Sequence, residues 1–200
     1  MDKWIADQYG ETTTSNKSKA DYFTITSPLL TSDDKTSNST KNTKRILPLI
    51  FYWEVDYQIH STLNPKVPMN LFVSAFIIYA KSKNLKEKLD GQKLEMTINK
   101  MPTSFSFNDD FRDINLLLIQ INWEKIYILP EKADMSIAYT LTKDNREIKT
   151  GIINIADPNE IKEKTYFKKM KTATIEYLTQ YEENIKSMAK YAVDKILVEL

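Results

Sequence analysis

The residues whose types and spacing could do chemistry gather on one strand. From Phe51 to His60 apolar and polar residues alternate, so Glu54, Asp56, Gln58 and His60 share one face. Alternate residues on a strand face stand about 7 Å apart. Two carboxylates at that spacing can share a cation or divide acid and base roles, and a histidine on the same face adds a group that titrates near neutrality. His60 is the only histidine in the chain, so a small hydrolase or metal-dependent enzyme built here would use Glu54, Asp56 and His60. The competing reading is that a sheet covered on one side must present a solvated polar face on the other. One geometric fact separates the two: the three side chains either converge in a concave pocket or spread along an open face.

Other catalytic equipment is missing. The absence of cysteine excludes disulfides, thiolate zinc sites, iron–sulfur clusters and cysteine nucleophiles. Three scattered glycines, Gly10, Gly91 and Gly151, cannot build a phosphate-cradling loop, and no serine sits in a Gly-x-Ser-x-Gly elbow. Asp33-Asp34 and Asp109-Asp110 lack the alternating oxygen ligands of a calcium loop and read as solvated loop residues. With 28 basic and 27 acidic residues the net charge is +1, and Glu160, Glu163 and Glu176 offset the basic run at 168–171. No nucleic-acid partner is therefore expected. No apolar run reaches the length of a membrane-spanning helix, and no cofactor is implied.

The hydrophobic pattern defines the elements that must position these groups. Two hundred residues, 42% of them apolar, suit a single core. Segments 11–19 and 31–45 carry no apolar residue, so residues 1–45 read as a flexible N-terminal segment with one short strand at 22–26, and 46–200 as a single domain. Asn70 is placed to cap a helix over 71–83 that is apolar almost all round, which predicts deep burial. Further strands are predicted at 94–98, 114–129, 136–142 and 147–155, with Gly151 a candidate bulge. Asp157-Pro158-Asn159-Glu160 has the form of a helix start. Met170, Ala173, Tyr177, Tyr181, Ile185, Met188, Ala192 and Ile196 then recur at the spacing of an amphipathic helix. Apolar residues wrap around the end of that helix, which predicts enclosure by the chain's own N-terminal region, with Trp4 and Ile5 as contacts, or by a second copy or partner.

The whole predicts an α+β fold, an antiparallel or mixed sheet of about five or six strands with two helices packed on one face. Tyrosine suits sites where one end of the ring is apolar and the other wet. Most of the tyrosines of the C-terminal helix are expected in the core or at its rim; the alternative is a groove beside that helix, with Tyr177, Tyr181, Tyr191 and Ile196 the candidate surface for a protein partner or lipidic ligand.

Three stretches carry a family likeness: Ile46-Leu47-Pro48-Leu49-Ile50-Phe51-Tyr52-Trp53, Thr62-Leu63-Asn64-Pro65, and Leu89-Asp90-Gly91-Gln92-Lys93-Leu94-Glu95-Met96 leading to Met101-Pro102. Over residues 46–200 the chain resembles envelope lipoproteins of Bacteroidetes-type bacteria, and its topology is similar to that of lipopolysaccharide-assembly and transport-auxiliary lipoproteins. The resemblance implies a non-enzymatic binding or accessory role on the periplasmic side of a bacterial envelope, with no catalytic residues to carry over. It implies an anchoring cysteine in a removed leader, with the polar N-terminal segment as tether; without a leader the expected location is cytoplasmic.

Overall fold

A computed structural model describes residues 9, 17–31, 37–47, 52–116, 118–165 and 170–200. In chain order these form β1 (Lys17–Ala20), β2 (Phe23–Thr26), a 3-10 turn (Pro28–Thr31), β3 (Ser37–Leu47) and β4 (Tyr52–Thr62). Helices α1 (Lys66–Ser82) and α2 (Leu85–Lys88) follow, then β5 (Lys93–Lys100), β6 (Ser104–Leu116), β7 (Ile119–Pro130), β8 (Met135–Lys143), β9 (Arg146–Ile155), β10 (Lys162–Thr165) and α3 (Met170–Glu199). The α+β class is as the sequence indicates. The strands divide between two sheets where one of five or six was expected: a mixed sheet ordered β1-β2-β5-β8-β9, and an antiparallel one ordered β10-β7-β6-β4-β3. Among the described residues no helix is long and apolar enough to cross a membrane.

Period-2 burial makes the mixed sheet. Leu94, Met96 and Ile98 of β5, and Ile137, Tyr139 and Leu141 of β8, all point into one core with Phe23 and Ile25 of β2. The antiparallel sheet reaches the same core only with its inner end, through Ile59, Phe105, Phe107, Ile126 and Ile128. Helix α3 joins the two. It touches β7 and β10 of one sheet, β9 of the other, and α1. Its stripe of Ala173, Tyr177, Tyr181, Ile185, Met188, Ala192 and Ile196 is buried throughout, as the spacing predicts.

Several elements differ from the sequence expectation for identifiable reasons. Residues 37–45, expected to be flexible, are part of an edge strand, 37–47, that pairs with β4 at all 11 positions. Ladder hydrogen bonds satisfy its backbone, so it needs no apolar side chains to be ordered. The run 114–129 is not one strand: the chain reverses between Leu116 and Ile119, which pair with each other. The unbroken apolar run Leu116-Leu117-Leu118-Ile119 hides that turn, because the turn lacks the Gly, Pro or Asn that usually marks one. Asp109 and Asp110 lie within β6, not in a loop.

Helix α1 starts at Lys66, where Asn64 Oδ1 accepts the backbone N–H at 2.9 Å, so Asn70 lies inside the helix. It is not buried all round: Ile77 and Ile78 are 41% and 71% exposed. The apparent helix start at Asp157 is a loop, since the Asp157 carboxylate accepts the Asn159 N–H at 2.9 Å and the Ala133 N–H at 3.2 Å. Local side-chain bonds there win over the helix. The bulge in β9 falls at Ile148, the residue skipped between Glu147 and Lys149, and Gly151 pairs in register with Tyr139. Trp4 and Ile5 lie outside the described residues. The end of α3 instead meets β9, where Lys149 Nζ reaches Glu199 Oε2 at 2.7 Å; Val193 and Ile196 are buried, but Val198 is 82% exposed.

Tyr181 donates its hydroxyl to the Pro102 carbonyl at 2.6 Å, fully inside the protein, and Tyr177 lies against Phe105 with ring centres 4.8 Å apart. Tyr181→Phe leaves that carbonyl dry and unpaired. The expected loss is about 1–2 kcal/mol in urea unfolding with an unchanged m-value. An unchanged midpoint would mean that water takes over the bond.

Candidate functional site

Beyond the core, β3, β4, β6 and β7 continue as a four-stranded ribbon. Antiparallel register places directly opposed residues on the same face, so the ribbon's polar face can be read in rows. Tyr52, Ile114 and Ile121 form one row; Glu54, Arg112 and Trp123 the next; then Asp56, Asp110 and Lys125; then Gln58, Asn108 and Tyr127; then His60, Ser106 and Leu129. Two of the three sequence candidates therefore meet. Glu54 and Asp56 are joined by Asp110 from β6, with one carboxylate oxygen from each within 4.8 Å of the others.

Sequence reasoning set Asp110 aside as a solvated loop residue and missed Arg112, because cross-strand register, not spacing along one strand, brings them in. Arg112 Nε donates to Asp110 Oδ1 at 2.9 Å, and its terminal nitrogen stands 3.2 Å from Glu54 Oε1. Both carboxylates hold the guanidinium above its ordinary pKa, Asp110 foremost through a direct hydrogen bond. Three carboxylates alone offer a hard oxygen site for a cation such as calcium. Here the guanidinium already bridges two of them, Glu54 and Asp110, and Lys125 lies opposite Asp110 on β7.

His60 does not join. It lies four residues along β4 from Asp56, roughly 13 Å, and its Nδ1 stands 2.6 Å from Glu131 Oε1. Glu54, Asp56 and His60 thus spread along a sheet face, and no single reacting atom can touch all three. Of the candidate partner-surface residues, Tyr177, Tyr181 and Ile196 are core, at most 2% exposed. Their spacing along α3 is that of the stripe that packs inward. Tyr191 is 44% exposed, with Lys195 Nζ 5.3 Å from its ring centre.

A groove does run beside α3, on its α1 side. Leu71, Ala75, Ile78 and Tyr79 of α1 and Lys186 and Lys190 of α3 line a volume of about 470 Å³. That lies within the roughly 300–1,000 Å³ of small-molecule sites. The sequence signal for it was the surplus apolar face of α1, whose Ile78 has no core to enter. Lys186 also meets Glu183 at 2.8 Å, an exposed pair that adds little stability and can be exchanged for a ligand. No family model matches the chain, and no curated protein or solved structure matches it either.

On the ribbon's opposite face a second acid pair stands closer to the core. Asp109 has its Oδ1 buried with no hydrogen-bond partner among the described residues. Burial first, then Glu124 and Asp110, push its carboxyl up to about 6. The folded state therefore prefers the protonated form. Its contribution is fully present below 3.8 and is lost as pH rises through about 6. Asp109→Asn should flatten the stability profile across that window. It should raise stability at pH 7 by about 1 kcal/mol, a figure discounted because solvent still screens a half-buried carboxyl. Chemical denaturation at a series of pH values checks this, and a variant profile parallel to that of the native chain would refute it.

Proposed function

We propose that the protein is a non-enzymatic binding protein, and that its ligand is an amphiphile with a long apolar chain and an acidic head held between α1 and α3. One observation carries this reading: the groove has apolar walls from Leu71, Ala75 and Ile78, and Lys186 and Lys190 stand on its rim. An apolar chain placed there removes surface from water, and the two ammonium groups, one helical turn apart, supply a point charge for a carboxylate or phosphate. The open spread of Glu54, Asp56 and His60, with Arg112 bridging the carboxylates, supports binding over catalysis. A lipidic ligand also fits the envelope location that the sequence resemblance implies, which is part of the proposal; mass spectrometry of the native protein from its own membranes tests it.

Titration with a fluorescent long-chain carboxylic acid tests the groove. Saturable binding is expected. Ala75→Trp, which fills the groove from a half-buried position, should abolish it without changing the circular dichroism spectrum. Lys186→Gln combined with Lys190→Gln should weaken the acid about tenfold, while leaving the alcohol of equal chain length unaffected. No saturable binding by the native chain, or full binding by Ala75→Trp, would defeat the proposal.

A further inference from the structure

The far end of the ribbon is apolar where a solvated turn would be polar. Leu118 at the turn between β6 and β7 is 99% exposed, and Ile119 and Ile121 behind it are 61% and 48% exposed. Ile121 shares its row with Ile114 and Tyr52, and Trp123 stands in the next row beside Arg112 and Glu54. On that face the tip is aliphatic, the Ile121 row adds Tyr52, and the next row sets Trp123 among charged residues. On the opposite face Asn115 and Gln120 both donate to Asp113 at 3.1 Å, beside the half-exposed Trp53.

We infer that this hairpin tip inserts its apolar face shallowly into an electrically neutral lipid bilayer. An aliphatic tip followed by a row that mixes an aromatic ring with charged residues matches the change of an interface from acyl chain to headgroup. The dimensions agree. About 7 Å separates the Ile119 and Ile121 positions, and about 7 Å more reaches the charged row. Burial by roughly 5–10 Å, usual for interfacial elements, takes in Leu118, Ile119 and Ile121 and leaves Glu54 and Arg112 among headgroups. Deeper entry is opposed by the backbone: β10 pairs only with Lys125–Ile128, so it offers nothing to the outer edge of β7 nearer the tip.

Size argues against a protein partner. Leu118, Ile119 and Ile121 are three side chains on a turn, far fewer than the roughly 20–30 residues that one side of a stable protein interface contributes. Charge selects the lipid. Behind the tip, Glu54, Asp56, Asp109, Asp110, Asp113 and Glu124 stand against Arg112, Lys125, Lys44 and Arg45 on β3, and Lys164 on β10. Among the described residues cations do not outnumber acids there, so no cationic collar favours an anionic membrane.

Flotation with phosphatidylcholine vesicles tests the inference on the full chain. The native protein should rise with the lipid. Leu118→Asp, at a side chain with no fold contacts to lose, should partition roughly thirtyfold less. Ile152→Asp, on β9 and 67% exposed, is the matched control and should float as the native chain does. The inference fails if the native protein stays with the dense fraction, or if Leu118→Asp floats equally well. It also fails if light scattering shows a native dimer that Leu118→Asp dissociates and that does not float, because the tip then serves a second copy.

Discussion

The hydroxyl of Tyr181, buried on α3 and bonded to the Pro102 carbonyl at 2.6 Å, sits where the chain leaves the mixed sheet at the end of β5 and enters the antiparallel sheet at β6. Leu63 is tied to the same crossover by its N–H to the Thr103 carbonyl at 2.9 Å. The sheets meet through this junction and through α3, whose apolar stripe faces both. A buried hydroxyl with no acceptor is costly, so the bond fixes helix register as well as adding attraction. Asn159, 1% exposed, is fastened to the same helix by Asn184 Nδ2 at 2.8 Å, so the loop before β10 follows the helix too.

With the core closed around α3, two regions are left that the core cannot use. One is the side of α1 turned away from it, which becomes the groove. The other is the outer length of β4, β6 and β7, which are 11, 13 and 12 residues long and overrun the core. A sheet lying outside a core has no dry side, and both faces of the ribbon carry charge. Arg112 compensates the carboxylates on one face. On the other face, Asp109 beside Glu124 is uncompensated and favours its protonated form. Each arrangement follows from strand length exceeding core width.

Tyr139 and Gly151 show how closely the mixed sheet is fitted. A Cβ on Gly151 would lie 2.6 Å from the Tyr139 ring, so the glycine is a seat for the ring on the facing strand and not a flexible point. The Lys149–Glu199 pair fastens the end of α3 to the same strand. It is a surface ion pair of small worth, and the burial of Val193 and Ile196 beside it does most of the holding.

Local periodicity was legible in the sequence. The alternation along β4, β5 and β8, the inward stripe of α3, and the exclusion of cysteine, phosphate-loop and serine-elbow chemistry all follow from residue identity and spacing, because side-chain direction repeats every two residues in strands and every 3.6 in helices. The division into two sheets was not, since the ordering of a polar edge strand such as β3 depends on a neighbour's hydrogen bonds. Nor was the turn at Leu118, which reverses the chain without the residues that mark a turn. The candidate site shows the same boundary. Glu54 and Asp56 share a face by sequence, but register across strands brings in Asp110 and Arg112 and carries His60 to Glu131. For α3 the sequence determined that Tyr177, Tyr181 and Ile196 lie on one stripe. Only the tertiary structure decided that the groove belongs to α1, because periodicity defines a face and packing alone defines what that face meets.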